Sequence, residues 1–216
     1  MQKPVQMIQV ATRNNETKTL RLSDGSVLVL NGNSSLRYAE PLGKNLRNVQ
    51  LLHGEASFDI AKDPKRPFRV TIGAAEIEVL GTLFNVNAYS SKLAVTLAEG
   101  SIRFKQGTFH CMLVPGERLF FDPLLQKASR QQLDANAVLD WRSGKWVFQQ
   151  MPLNEVLAQL AAQYDLSFML TNPAKQYPLI NIYQDKADMT LSQLLALLRR
   201  VGKSDIHFDQ KSILLK

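Results

Sequence analysis

The residues able to do chemistry are few, and their spacing is informative mainly for what it fails to build. His53, His110 and His207 are the three histidines. None has a second His, or an Asp or Glu, at i+3 or i+4, the separation that sets two ligands on one helical face for a metal. His110 and Cys111 adjoin as a base and a nucleophile would, but consecutive side chains on a strand point to opposite faces, so the two are no dyad. Gly202-Lys203-Ser204 ends like a phosphate-binding loop. Leu197 stands where that loop needs its first glycine, and the segment closes a helix where a phosphate loop opens one. Paired carboxylates are the remaining option, since hydrolases on β scaffolds use them. Asp59 and Asp63 flank Ile60-Ala61-Lys62, and Glu76 and Glu78 alternate with Ile77 and Val79, which places both glutamates on the solvated face of a strand. No catalytic residue, no cofactor and no metal site is expected, and the chain reads as a non-enzyme.

Charge adds little to this. The 26 Lys and Arg against 19 Asp and Glu leave a net charge of +7 over 216 residues. The excess is spread, with 17 basic and 13 acidic residues in 1–140 and 9 and 6 in 141–216. The densest basic cluster, Lys62, Lys65, Arg66 and Arg69, is interleaved with Asp59, Asp63 and two prolines and carries one aromatic, Phe68. A nucleic-acid module shows a basic stripe with several stacking aromatics, so no nucleic acid is expected. The single cysteine, Cys111, excludes an intrachain disulfide framework and a thiolate zinc site. No window of 18 apolar residues spans a membrane, and Met1 to Asn15 lacks the basic-then-apolar plan of a signal peptide. Any export signal or anchor is expected to lie outside this sequence.

The elements that carry these residues fall into two grammars. From Thr17 to about Asp122, short apolar runs alternate between turn segments such as Ser23-Asp24-Gly25-Ser26, Asn31-Gly32-Asn33, Asp63-Pro64, Glu99-Gly100-Ser101 and Pro115-Gly116-Glu117. Alternation at this spacing predicts an all-β N-terminal domain of about ten to twelve short strands, either a sandwich or a solenoid-like stack. After Gln126 the pattern passes through a polar stretch and the period shifts from 2 to 3.6. Leu153, Val156, Leu157, Leu160, Ala161 and Tyr164 mark one helical face, and Leu191, Leu194, Leu195, Leu198 and Val201 mark another. Thr190 and Gln193 have capping-box spacing, Met189 can staple to Leu194, and Gly202 is expected to end the second helix after Arg199 and Arg200. Leu153–Leu160 and Leu191–Leu198 resemble each other, and each is bracketed by β-like runs. This predicts a small α+β domain made of a duplicated βαβ unit with a final strand at Ser212 to Leu215. The expected plan is 1–16 a membrane-proximal linker, 17–126 the all-β domain, 127–144 a connecting segment and 145–216 the α+β domain. Trp141, Trp146 and Phe148 are expected to form core where the two meet.

Several segments, taken in order, resemble one family. These are Leu22-Ser23-Asp24-Gly25-Ser26-Val27, Leu52-His53-Gly54-Glu55-Ala56-Ser57-Phe58, Asp63-Pro64-Lys65-Arg66-Pro67-Phe68-Arg69-Val70, Val79-Leu80-Gly81-Thr82-Leu83-Phe84-Asn85-Val86, Val95-Thr96-Leu97-Ala98-Glu99-Gly100 and Leu113-Val114-Pro115-Gly116-Glu117. Together they look like the periplasmic region of FecR-type sigma regulators. The second half resembles the short STN domain of secretins and of the N-termini of TonB-dependent receptors. The resemblance implies an inner-membrane anti-sigma protein whose periplasmic part binds the signalling domain of a TonB-dependent outer-membrane transducer. It also implies control of an extracytoplasmic-function sigma factor, through a cytoplasmic segment outside this sequence, in iron and siderophore uptake. Two other readings weigh less: an envelope-assembly subunit, because secretin-like machines use the same short domain, and a glycan-active periplasmic enzyme.

The helical faces cannot be the partner's surface. Five or six apolar side chains per helix, at about 1.5 to 3 kcal/mol each when buried, are needed as core. The expected partner surface is therefore a sheet edge, with Leu179, Ile180, Ile182 and Tyr183 on one strand and Ile213, Leu214 and Leu215 on another accepting a strand from the partner.

Overall fold

The computed structural model describes residues 5–90, 92–173, 175–209 and 211–216. The chain divides into two compact units, Met1–Ala135 and Asn136–Lys216.

The first unit is all-β. Its strands are β1 (Gln6–Ala11), β2 (Lys18–Arg21), β3 (Val27–Leu30), β4 (Ser35–Glu40), β5 (Arg47–Asp59), β6 (Phe68–Ile72), β7 (Ala75–Val79), β8 (Leu83–Ala88), β9 (Leu93–Glu99), β10 (Ile102–Gln106), β11 (Phe109–Leu113), β12 (Glu117–Asp122) and β13 (Lys127–Gln132). They join into one 13-stranded sheet in which β5 sits at the middle. The first half of β5 pairs antiparallel with β4 and parallel with β6; its second half pairs antiparallel with β3 and β8. The strand thus leaves one half-sheet and enters the other. That detour lets β6 return parallel to the start of β5 after a short loop, where a parallel pair ordinarily needs a long crossover.

The changeover lies at His53-Gly54. Gly54 has φ +96°, and a Cβ there would fall 2.2 Å from Ser34 Oγ, so only glycine fits. The Ser34 hydroxyl in turn accepts the Glu55 N–H at 2.9 Å. The half-sheets curl toward each other around one core. Phe104 of β10 lies 5.3 Å from Phe121 of β12, ring centre to ring centre, and Phe58 stacks on Phe84 at 4.9 Å. Val49, Leu51, Val70, Ile77, Val86, Val95, Leu97 and Leu119 are fully buried in the same cluster. The alternation read in the sequence is the inner face of this one curled sheet, which is closer to a sandwich than to a stack.

Four charged side chains, in two sets, are buried inside it. Arg47 donates to Asp24 at 2.8 Å, with side chains 0% and 3% exposed, and also to the carbonyls of Ala61 and Arg66 while lying over the Phe68 ring. Burial alone would raise the Asp24 carboxyl, but hydrogen bonds from the Ser26 N–H, Arg47 and the Ser26 hydroxyl outweigh it and hold it below the ordinary carboxylate range. Glu55 accepts from Asn31 at 2.7 Å and from Asn85 at 2.8 Å, and buried Arg118 donates to Thr96 at 3.1 Å. Burial brings the Arg118 guanidinium down to about 10, against the opposing charge of Glu55.

The second unit holds α1 (Ala135–Val138) at its border and a 3₁₀ turn at Leu139–Ser143. It continues with β14 (Lys145–Pro152), α2 (Leu153–Gln163), β15 (Ser167–Leu170), β16 (Leu179–Asp185), α3 (Leu191–Val201), β17 (Ile206–Phe208) and β18 (Ser212–Leu215). β14 and β16 form an antiparallel two-stranded sheet; β15, β18 and β17 form a three-stranded one with β18 in the middle. α2 touches strands of both. Leu153, Val156, Leu157, Leu160, Leu194, Leu195 and Leu198 share one core with Phe148, Ile180, Ile213 and Leu215.

Several expectations change. The β-α-β order does occur twice, but the two strands of each copy fall in different sheets, so neither copy is a parallel βαβ pair. Residues 6–11, expected within a linker, pair with β4; residues 1–4 of that linker lie outside the described residues. Residues 127–132, expected to connect the domains, pair with β12 as β13, a polar strand at the sheet edge that is exposed on both faces and held by its ladder to β12. Trp146 and Phe148 belong to the second unit's own core. The Thr190–Gln193 capping box forms with both reciprocal bonds. Gly202 does not supply a left-handed cap, since its φ is −75° and Lys203 takes the positive angle of 45°. Glycine is needed there for another reason: a Cβ would lie 2.6 Å from Leu153 Cδ2 and 2.9 Å from the Leu198 carbonyl, where α3 closes onto α2.

Candidate functional site

The two-stranded sheet of the second unit offers the strand edge that sequence reasoning sought. Among the described residues β16 pairs with β14 alone. Its Ile180 and Ile182 point to the core, whereas Leu179 (57% exposed) and Tyr183 (52% exposed) face out. Register fixes which backbone groups are open. The Lys186 N–H bonds the Gly144 carbonyl, so along the ladder Gln184 and Ile182 exchange bonds with Trp146 and Phe148. Tyr183 and Asp185 fall at the non-hydrogen-bonded pairs with Val147 and Lys145, so their N–H and C=O groups point away from β14. A bulge between Phe148 and Met151 bends the sheet, with Gln150 at φ +47° donating its N–H to Asn181 Oδ1 at 2.9 Å.

The outer face of this edge carries a polar cluster. Lys145 Nζ donates to the Tyr183 hydroxyl at 2.7 Å and lies over its ring, and the hydroxyl donates to the Asp140 carboxylate. That hydrogen bond to Tyr183 raises the Lys145 ammonium above its ordinary range. Across the ladder Lys145 faces Asp185. Sequence reasoning missed Asp140 and Lys145, because only the β14–β16 register brings them to Tyr183. The Lys186 ammonium also covers the Trp146 ring at 4.6 Å.

The second expected edge is corrected. β18 is the central strand of its sheet, paired parallel with β15 and antiparallel with β17. Ile213 and Leu215 are fully buried and Leu214 lies half-buried between Met169 and His207. A run as apolar as Ser212–Leu215 fits an interior strand, and its terminal position in the sequence is a poor guide to its place in the sheet.

The other chemical residues are apart. Glu78 accepts from Arg69 at 3.2 Å and Arg103 at 3.0 Å, and Glu76 pairs with Arg69 at 3.6 Å, a set of ion pairs on a solvated strand face. His207 Nε2 lies 3.0 Å from Asp205 at the surface. Burial pushes the Cys111 thiol up and the His53 imidazole down. Among the described residues no group of three or more His, Cys, Asp or Glu is placed to hold a metal ion, and no helix is long and apolar enough to cross a membrane.

The family model "FecR protein" matches residues 8–103, and "FecR, C-terminal" matches residues 145–215. No curated protein matches the sequence. A crystal structure of a candidate anti-sigma factor from Parabacteroides distasonis superposes with a TM-score of 0.84 at 25% identity, over 97% of this chain and 98% of that one. A second such structure gives 0.83 at 24% identity over the same shares, a likeness of fold. The first matched segment runs from β1 into β10 and the second from β14 to β18, so two successive parts of one protein type account for most of both units. The chain belongs to the FecR family of sigma regulators.

Proposed function

We propose that this chain is the periplasmic, signal-receiving part of an inner-membrane anti-sigma protein. In this reading it binds the N-terminal signalling domain of a TonB-dependent outer-membrane transducer. The bound state controls an extracytoplasmic-function sigma factor, held by a cytoplasmic segment outside this sequence, for iron and siderophore uptake. The observation that carries the reading is the succession of both FecR models along the chain, supported by the likeness to a candidate anti-sigma factor. An STN-like second unit is part of the proposal, and the element order β-α-β, β-α-β, β across a two-stranded and a three-stranded sheet supports it.

Reception works by strand addition. A partner strand aligned on β16 bonds the outward N–H and C=O groups of Tyr183 and Asp185, and its side chains meet Leu179 and Tyr183. Each new backbone bond contributes about 0.5–1.5 kcal/mol net, so affinity also draws on the burial of those two side chains. The mechanism is recognition and conformational control, not turnover. The test is binding of the purified chain to signalling domains of outer-membrane transducers from the same genome, read by calorimetry. One partner with micromolar or tighter affinity supports the proposal; no binding to any member of the set contradicts it.

A further inference from the structure

The turn joining β12 and β13 adds neither Leu124 nor Leu125 to the first unit's core, yet it is firmly built. The Asp122 carboxylate accepts the N–H groups of both Leu124 and Leu125 at 3.0 Å, and Gln126 Nε2 donates to the Pro123 carbonyl at 2.7 Å with Gln126 held at φ +52°. Directly beneath, Phe121 packs on Phe109 at 5.0 Å and on Phe104. This rigid base presents Leu124 and Leu125 at 85% and 64% exposure. Leu124 is the most exposed large apolar residue described. The β10–β11 turn lies alongside, since a Cβ on Gly107 would sit 3.6 Å from Gln126 Oε1. Lys105 and Lys127, both exposed, lie two residues and one residue from this contact, on the outer faces of the two half-sheets, and so flank the tip. The one acid of the tip, Asp122, is occupied by the turn itself; Glu76, opposite Lys105, is engaged by Arg69.

We propose that this tip is a contact for an anionic lipid surface: Leu124 and Leu125 enter the headgroup–acyl boundary while Lys105 and Lys127 meet lipid phosphates. A bilayer suits the geometry better than a protein does. Two leucines on a convex turn cover a few hundred Å² at most, well below the roughly 800 Å² per partner of a stable protein interface. A lipid boundary needs only a small apolar wedge with flanking cations, and the net charge of +7 adds long-range attraction. The contact orients the first unit on a membrane and is weak by itself. It stands independently of the transducer proposal.

The experiment is vesicle co-sedimentation of the whole chain with phosphatidylglycerol–phosphatidylcholine vesicles and with phosphatidylcholine vesicles alone. Wild type is expected to sediment with the anionic vesicles, at least about tenfold less with the neutral ones, and less as salt rises. Leu124→Ser/Leu125→Ser is expected to lower binding at least about tenfold while leaving thermal unfolding unchanged. Lys105→Gln/Lys127→Gln is expected to weaken only the anionic-vesicle binding. Absence of wild-type binding, or full binding by the double serine variant, overturns the proposal.

Discussion

Removing Arg47 tests the most demanding feature of the first unit. The guanidinium is fully buried, pairs with Asp24 at 2.8 Å and ties together the turn before β3, the start of β5 and the loop entering β6 through the Ala61 and Arg66 carbonyls. Arg47→Met keeps the stem against Phe68 but leaves a carboxylate that is 3% exposed without its cation. Breaking one side of such a pair costs about 3–5 kcal/mol, against a total stability of about 5–15 kcal/mol. For a chain of this size the midpoint should fall by on the order of 10 °C. Far-UV circular dichroism is the suitable readout, because both tryptophans lie in the second unit. Arg47→Met/Asp24→Leu should recover most of the loss, since an apolar pair of similar volume is close to neutral there, and among the described residues Arg47 Nη2 has no hydrogen-bond partner. Acid adds a second reading. Asp24 has a folded pKa below its unfolded value, so its contribution is complete above the unfolded value near 3.9 and is lost as pH falls through the folded one. Asp24→Asn should therefore flatten the loss of stability below about pH 4. A single Arg47→Met variant within 1 kcal/mol of wild type, or a double variant costing the sum of the two singles, would refute the reasoning.

Gly54→Ala should destabilise the first unit by about 2–4 kcal/mol, because the new Cβ meets Ser34 at 2.2 Å and the backbone angle of +96° is strained for alanine; urea unfolding followed by circular dichroism measures it. Thr190→Ala should cost about 1 kcal/mol in the second unit, and Thr190→Asn much less, since asparagine can still cap α3. Fluorescence of Trp146, which lies in that unit's core, reports this loss in a urea titration.

Much of the architecture was legible because it rests on local rules. Alternation with turn chemistry marks strands whose inner faces are the core, and the helical spacing of Leu191, Leu194, Leu195 and Leu198, with a Thr190 cap, marks α3. What the sequence did not carry was pairing. Nothing local distinguishes β16, an edge, from β18, a centre, because both are short apolar runs and their neighbours are chosen by long-range register. The same limit hid the splitting of each β-α-β copy between two sheets. The polar run Lys127–Gln132 looked like a linker because this edge strand is exposed on both faces and so lacks apolar alternation, and Gly202 looked like a cap when close contact with Leu153 is its reason. The cluster of Asp140, Lys145 and Tyr183 is invisible without the register that assembles it. Of the buried Arg47–Asp24 pair only Asp24 lay within a segment quoted for the family resemblance, and the burial of the pair follows from the fold of β5.

The most direct test of the account is the affinity of Tyr183→Pro for a transducer signalling domain that binds the wild-type chain, with Tyr183→Ala beside it. The Tyr183 N–H faces the open edge and bonds nothing in β14, so proline there should leave the two-stranded sheet folded by circular dichroism while removing a donor the added strand needs. Strand addition at β16 predicts a loss of about tenfold or more for Tyr183→Pro beyond that of Tyr183→Ala, with both variants folded. Equal affinities for the two folded variants would contradict it.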